Sequence, residues 1–247
     1  MQRIFYIIAL VIGLLTVTNC QKKEEIPRFH VEISHPDNNY SVTPIKDSIT
    51  TLEGISAGLP YGSTSGHWAD SGKRWTEQVG TPIGADIVYY SNYEDVFYHL
   101  KAKFPVEYMK EMSHRAYFDM EPEYFEGELP KYIDIRKDPH YESLYNHLVI
   151  TCRVFEYLIF GFAPKGMVVV WIGYGSIRIE VGRYQAELVT DEKLVKQYED
   201  RLIAMYAITR ERKREIYGKR WANASSELWD NYRKRYKLRT IISSAHN

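Results

Sequence analysis

Glu94, Asp95 and His99 lie within six residues of one another and could support acid–base chemistry, with two carboxylates to take or hold a proton and an imidazole to relay it. A polar hairpin tip followed by a surface histidine produces the same trio, so the spacing by itself assigns no catalytic residue. A second set of chemistry-bearing side chains, His67, Trp68 and Trp75, falls in the stretch from Gly54 to Gly84, which holds seven of the chain's 15 glycines. Such composition reads as loop and tight turns. Its aromatic side chains would either face a ligand from an exposed loop or plug the core beneath it. The candidate ligand-binding residues are therefore His67, Trp68, Trp75, Glu94 and Asp95.

Better-defined chemistries are missing from the pattern. The eight histidines are scattered, with no HExxH motif and no Cys/His spacing for a metal, so no metal site is expected. Gly72-Lys73 is followed by Arg74, and His67 stands where a phosphate loop needs its first glycine. Gly173-Tyr174-Gly175 opens like a dinucleotide fingerprint, but Arg178 replaces the third glycine and a strand pattern follows. There is no Gly-x-Ser-x-Gly elbow. No cofactor and no named reaction follow from these residues, and the acidic run Asp119 to Glu128 lacks the spacing of an EF-hand loop. Lys and Arg together number 32, as do Asp and Glu, so overall charge does not point to nucleic acid as a partner.

The elements that must position these side chains are mostly strands. Tyr157 to Phe162 and Met167 to Ile172 are short aromatic and β-branched runs joined by Ala163-Pro164-Lys165-Gly166. Pro164 suits the first corner of a turn, and Gly166 can take the positive φ that closes it. Neither run alternates, which predicts a central hairpin covered on both faces. From Ile177 apolar and polar residues alternate, as in a strand nearer an edge. Phe29 to Ser34, Asp86 to Tyr93 and Val96 to Phe104 read as further strands, and Tyr40 to Leu52 as a weaker one broken by Pro44. Pro105 opens a helix whose stripe is Val106, Met109, Met112, Ala116 and Tyr117. A longer helical pattern starts at Thr190 or Asp191 and runs to Gly218, with Leu194, Val195, Tyr198, Leu202, Met205 and Tyr206 as its buried face. A short helix is expected from Ser226 to Tyr236. The basic stretch Arg210 to Arg239 reads as a solvated face or a contact with acidic headgroups. The fold class is α+β: a mainly antiparallel sheet with the hairpin central, helices packed on it and a helical segment at the C-terminus.

The first 20 residues address the chain. Arg3 precedes a 14-residue apolar run, Ile4 to Val17, too short to span a bilayer and suited to a signal-peptide core. It stops at Val17-Thr18-Asn19-Cys20, which resembles a bacterial lipoprotein signal ending in the cysteine that is acylated; Asn19 stands where a small residue is usual. Residues 1–19 are then a lipoprotein signal peptide, 20–28 a tether and 29–240 a single globular domain. With two or three acyl chains on Cys20, anchoring is essentially permanent. Gln21, in place of an aspartate after the cysteine, resembles lipoproteins released to the outer membrane. Cys152 is left without a disulfide partner and reads as buried and inert.

The leader, the Gly-rich segment with Trp68, the block ADIVYYSNYEDVFYHLKAKFP, the hairpin YLIFGFAPKGMVVVWIGYG and the closing Trp221…Trp229-Asp230-Asn231-Tyr232 resemble the bacterial lipoproteins of domain-of-unknown-function family 2931. The resemblance covers most of the mature chain and implies export and lipidation. It brings no activity and no catalytic residues; the region Asp119–Glu128 looks like an insertion, and a closing Trp-Pro is absent. The expected function is a membrane-anchored envelope lipoprotein, a non-enzymatic module that binds a protein or a glycan. The protein version includes an immunity-type partner of a secreted toxin. The least favoured reading is a hydrolase built on Glu94, Asp95 and His99.

Overall fold

Two apolar hairpins set the architecture, because each has one face that must be covered by the other. In the computed structural model, which describes residues 26–36, 40–65, 68, 77–118, 132–135, 152–175 and 177–217, they belong to two sheets that share a core. The first sheet has the order β11-β10-β9-β1-β3, where β1 is Arg28–Ser34, β3 Gln78–Val79, β9 Tyr157–Phe162, β10 Met167–Tyr174 and β11 Ile177–Gln185. The second has the order β12-β5-β4-β2, where β2 is Val42–Thr51, β4 Pro82–Ser91, β5 Val96–Lys103 and β12 Glu187–Leu188. A small third sheet joins β6 (Arg115–Phe118), β7 (Tyr132–Asp134) and β8 (Cys152–Val154). The class is α+β and mainly β, with two main sheets and a small third where the sequence pattern suggested one.

The hairpin β9–β10 is central, with β9 in the middle of its sheet. Leu158, Phe160, Phe162, Val168, Val170 and Ile172 point into the shared core, while Ile159, Val169 and Trp171 build a second cluster on the opposite face. This two-sided burial is why the run does not alternate. Pro164 to Gly166 forms one 3-10 turn, in which Lys165 (φ 59°) as well as Gly166 (φ 74°) takes the left-handed region. Pairing of β1 with β9 is parallel, His30 opposite Tyr157 through Ser34 opposite Gly161, so the first sheet is mixed.

Three sequence expectations are revised. Pro44 does not break β2; it sits at a register shift on the edge strand of its sheet, where a residue without an N–H costs no ladder bond. The helix after Pro105, α1, covers only Val106–Met112, and Ala116 and Tyr117 lie on β6. Its end is built by Ser113 Oγ donating to the Met109 carbonyl (2.7 Å) and by His114 Nδ1 bonded to the Lys110 carbonyl (2.7 Å). Finally, the long C-terminal pattern is two helices, α2 (Glu192–Tyr206) and α3 (Arg210–Tyr217), separated at Ala207. Asp191 caps α2 by accepting from the amides of Lys193 and Leu194. Leu202, Val195, Tyr198 and Tyr206 pack on Ile45, Val88, Tyr90 and Phe97, the outer face of the second sheet. Leu194, counted on the buried face from the sequence, is exposed. The expected helix from Ser226 to Tyr236 lies outside the described residues.

Candidate polar pole

Because β1 and β9 run parallel, their starts share one end of the molecule with Arg28, and their ends, Ser34 and Phe162, share the other. The β4–β5 turn, Asn92 to Asp95, comes to this far end, where Glu94 Oε1 accepts from the backbone amide of Lys165 at 2.9 Å. Among the described residues, eight of the fourteen buried polar side chains gather here, namely Ser34, His35, Ser41, Thr43, Thr64, Ser91, Asn92 and Lys213. Burying such groups is costly unless each finds a partner, so this pole is where the fold invests in polar organisation.

Glu94 and Asp95 are adjacent in the turn but face opposite sides of the sheet, Glu94 toward Tyr40 and Tyr98 and Asp95 toward Tyr90. Glu94 turns inward: Oε2 accepts from Tyr40 Oη (2.6 Å) and Ser91 Oγ (3.1 Å), while Oε1 accepts from Tyr98 Oη (3.2 Å) and Lys165 N. A carboxylate offers about four lone-pair positions, and these four donors occupy them. Burial, and then the Glu94 charge, push the Tyr40 phenol well above its ordinary range. Tyr98 is raised by the same two causes. Tyr89, stacked on Tyr98 at 5.5 Å between centroids, is fully buried, and among the described residues its hydroxyl has no hydrogen-bond partner.

Asp95 turns outward and holds the left-handed conformation (φ 56°), which aspartate tolerates better than most side chains. Its Oδ1 accepts from Tyr90 Oη (2.5 Å) and Arg210 Nε (2.9 Å), its Oδ2 from Arg214 Nε, and its carbonyl from Arg210 Nη2 (2.6 Å). Burial alone would raise the carboxyl, but the hydrogen bonds from Tyr90, Arg214 and Arg210 outweigh it and hold the pKa below the usual value. Beside it, Lys213 Nζ donates to Thr43 Oγ1 (2.9 Å) and Asn92 Oδ1 (2.8 Å) with the side chain 4% exposed. Burial lowers its pKa to about 8. Thr43 and Asn92 are themselves braced by Ser63 (2.9 Å) and Ser41 (3.0 Å).

His99 is not part of this group. It lies on the outer face of β5, with Nε2 2.8 Å from Asp86 Oδ1, and at about 3.3 Å rise per residue it stands roughly 13 Å along the strand from Asp95. The trio therefore splits among three separate networks. Trp68 is 5% exposed and meets Trp171 edge-on at 5.0 Å, the packing of a core plug. His67, Trp75 and Cys20 lie outside the described residues. Among the described residues, no group of three or more His, Cys, Asp or Glu side chains could hold a metal ion, and no helix is long and apolar enough to cross a membrane.

Tyr40, Ser91, Asn92, Arg210, Lys213 and Arg214 were not singled out from the sequence. The first three flank strand ends of ordinary composition. The last three sit in a basic run whose described part turns toward the sheet, a burial that charge composition does not signal. A family model matches residues 18–241 of the chain. The chain belongs to the family described as Protein of unknown function (DUF2931). The match embraces both sheets and all of the polar pole, so the arrangement above lies wholly within the region that defines DUF2931. No curated protein and no solved structure matches the chain.

Proposed function

We propose that this DUF2931 protein is a lipid-anchored lipoprotein of the bacterial envelope that binds a partner at its polar pole and performs no catalysis of its own. The reading rests on the position of that pole. Only seven residues separate Cys20 from Arg28, and a chain reaches at most about 3.5 Å per residue. An acylated Cys20 therefore keeps the Arg28 end within roughly 28 Å of the bilayer, while the Glu94–Asp95 end points away from it. Tyr61, 54% exposed and tilted against Tyr206 at 4.8 Å between centroids, presents an aromatic surface beside that end. Aromatic side chains of this kind serve protein and glycan partners alike.

Two experiments test it. Palmitate-analogue labelling and fractionation should mark the wild-type chain in the outer membrane and lose both label and membrane association in Cys20→Ala. An unlabelled, soluble wild type would refute the anchor. A photo-crosslinking residue at position 61 should capture an envelope component, whereas one at position 77, near the tether, should not. Capture at neither position, or equally at both, removes the binding reading. A captured protein encoded beside a secreted effector would specify the immunity version, and a polysaccharide adduct the glycan version.

A further inference from the structure

From Glu192 through Tyr217 the sequence has neither glycine nor proline, yet the chain leaves α2 at Ala207, with φ 52° and ψ 34°, and re-enters helix at Arg210. A left-handed residue at a helix end is ordinary for glycine and costly for a side chain with a Cβ. Thr209 offsets part of that cost, since its hydroxyl and carbonyl accept from the amides of Arg212 (3.2 Å) and Lys213 (3.0 Å). The bend lays α3 on the polar pole, where the contacts that hold it are unusual for a docked helix. Lys213 is its one buried residue, Arg210 and Arg214 meet Asp95, and Tyr217 meets Tyr93 edge-on at 5.6 Å. Its aliphatic Ile216 is 43% exposed. Helices that stay docked normally do so through an apolar face; α3 is held by charge and hydrogen bonds.

We propose that α3 is an exchangeable arm: α2 and α3 straighten into one helix through residues 207–209, and the acceptor formed by Asp95, Asn92 and Thr43 receives α3 from a second copy of the chain. A second copy is the fitting occupant because the acceptor already matches α3 residue for residue. Exchange preserves each docking contact, removes the left-handed alanine and adds helical backbone bonds across the hinge. A short, strained connection of this kind is the usual route to a domain-swapped dimer.

The test uses the full chain with Cys20 and Cys152 changed to serine and cysteines placed at the touching pair Tyr93 and Tyr217. A short thiol crosslinker should give both intrachain and interchain products, with the interchain share rising with protein concentration. Adding Ala207→Gly, which makes the bend easy, should lower that share several-fold. Because the cysteine variant could fold poorly, the chain without engineered cysteines is also mixed with an isotope-labelled copy, refolded and examined by native mass spectrometry, where mixed dimers are expected. Intrachain product alone at every concentration, an interchain share indifferent to Ala207→Gly, or an absence of mixed dimers would each overturn the proposal.

Discussion

Arg210 grips Asp95 at two points, with Nε 2.9 Å from the carboxylate and Nη2 2.6 Å from the same residue's carbonyl. Its remaining Nη1 reaches Glu199 at 2.5 Å. One guanidinium thus joins the β4–β5 turn, α2 and the start of α3, and it helps fix the left-handed backbone of Asp95.

Replacing Asp95 by Ala removes the carboxylate that accepts from Tyr90, Arg210 and Arg214, and leaves Arg210 its bonds to the residue 95 carbonyl and Glu199. A loss on the order of 2 kcal/mol is expected, as for hydrogen bonds to a charged group, together with faster amide exchange in α3. Because the folded pKa of Asp95 is depressed, its contribution is complete above the unfolded value and is lost as pH falls through the folded one. Hydrogen exchange of the wild type should therefore show α3 protected at pH 5 and progressively exposed in stronger acid, with the variant insensitive to that change.

Lys213 is depressed as well, but there burial disfavours the charged form instead of hydrogen bonds favouring it. With its pKa lowered to about 8 by burial, the folded state gives up a proton that the unfolded state retains until near the ordinary lysine value of 10.5. Stability should rise with pH across that interval and be lowest below it. Lys213→Met removes the charge and leaves Thr43 and Asn92 hydrogen-bonded to each other. Urea melts at pH 7 should show it unchanged or more stable, by up to about 2 kcal/mol, and should lack the alkaline rise. A variant destabilised by several kcal/mol would contradict this account.

Gly161 is required by close approach. A Cβ there would meet the Trp171 ring at 2.5 Å and the Trp68 ring at 2.9 Å. Gly161→Ala should cost about 1–3 kcal/mol, the usual penalty of overpacking, and should perturb tryptophan fluorescence. Pairing it with Trp68→Ala opens space on one side only, so rescue should be partial.

Glu94→Gln keeps the shape but turns one end of the side chain into a donor that faces Tyr98 and the Lys165 amide, or Tyr40 and Ser91. At least one of these donors is then left unsatisfied, and a fall on the order of 2 kcal/mol follows. Thermal melting of the variant would measure it. An unchanged melting temperature would show that the inward network contributes nothing to the fold.

The strands were legible because side-chain period reports burial directly. Phe29 to Ser34, Val96 to Lys103 and the two-sided hairpin sit where their patterns placed them, while β4 starts four residues earlier than Asp86, at Pro82, and ends at Ser91. The division into two sheets was not legible, since a period of two gives the buried face and not the element that covers it. The halt of α1 at Met112 was hidden because Met112, Ala116 and Tyr117 fit a helical stripe as well as a strand. The break at Ala207 was hidden for a related reason, as no local residue demands it and long-range contacts of Arg210 and Lys213 impose it. At the polar pole, Glu94 and Asp95 stood out by charge, whereas Tyr40 and Arg210 reach them from distant parts of the sequence.

The parallel pairing of β1 with β9 has a kinetic consequence. The middle of the first sheet closes only when His30 finds Tyr157, about 130 residues downstream, and contacts of such sequence separation make folding slow. A chain delivered from its N-terminus would carry β1 without its β9 partner until nearly two-thirds of the polypeptide had followed. Under the lipoprotein reading that delay is useful: the nascent chain stays loose enough to thread a translocation channel, and it locks only after its centre has crossed.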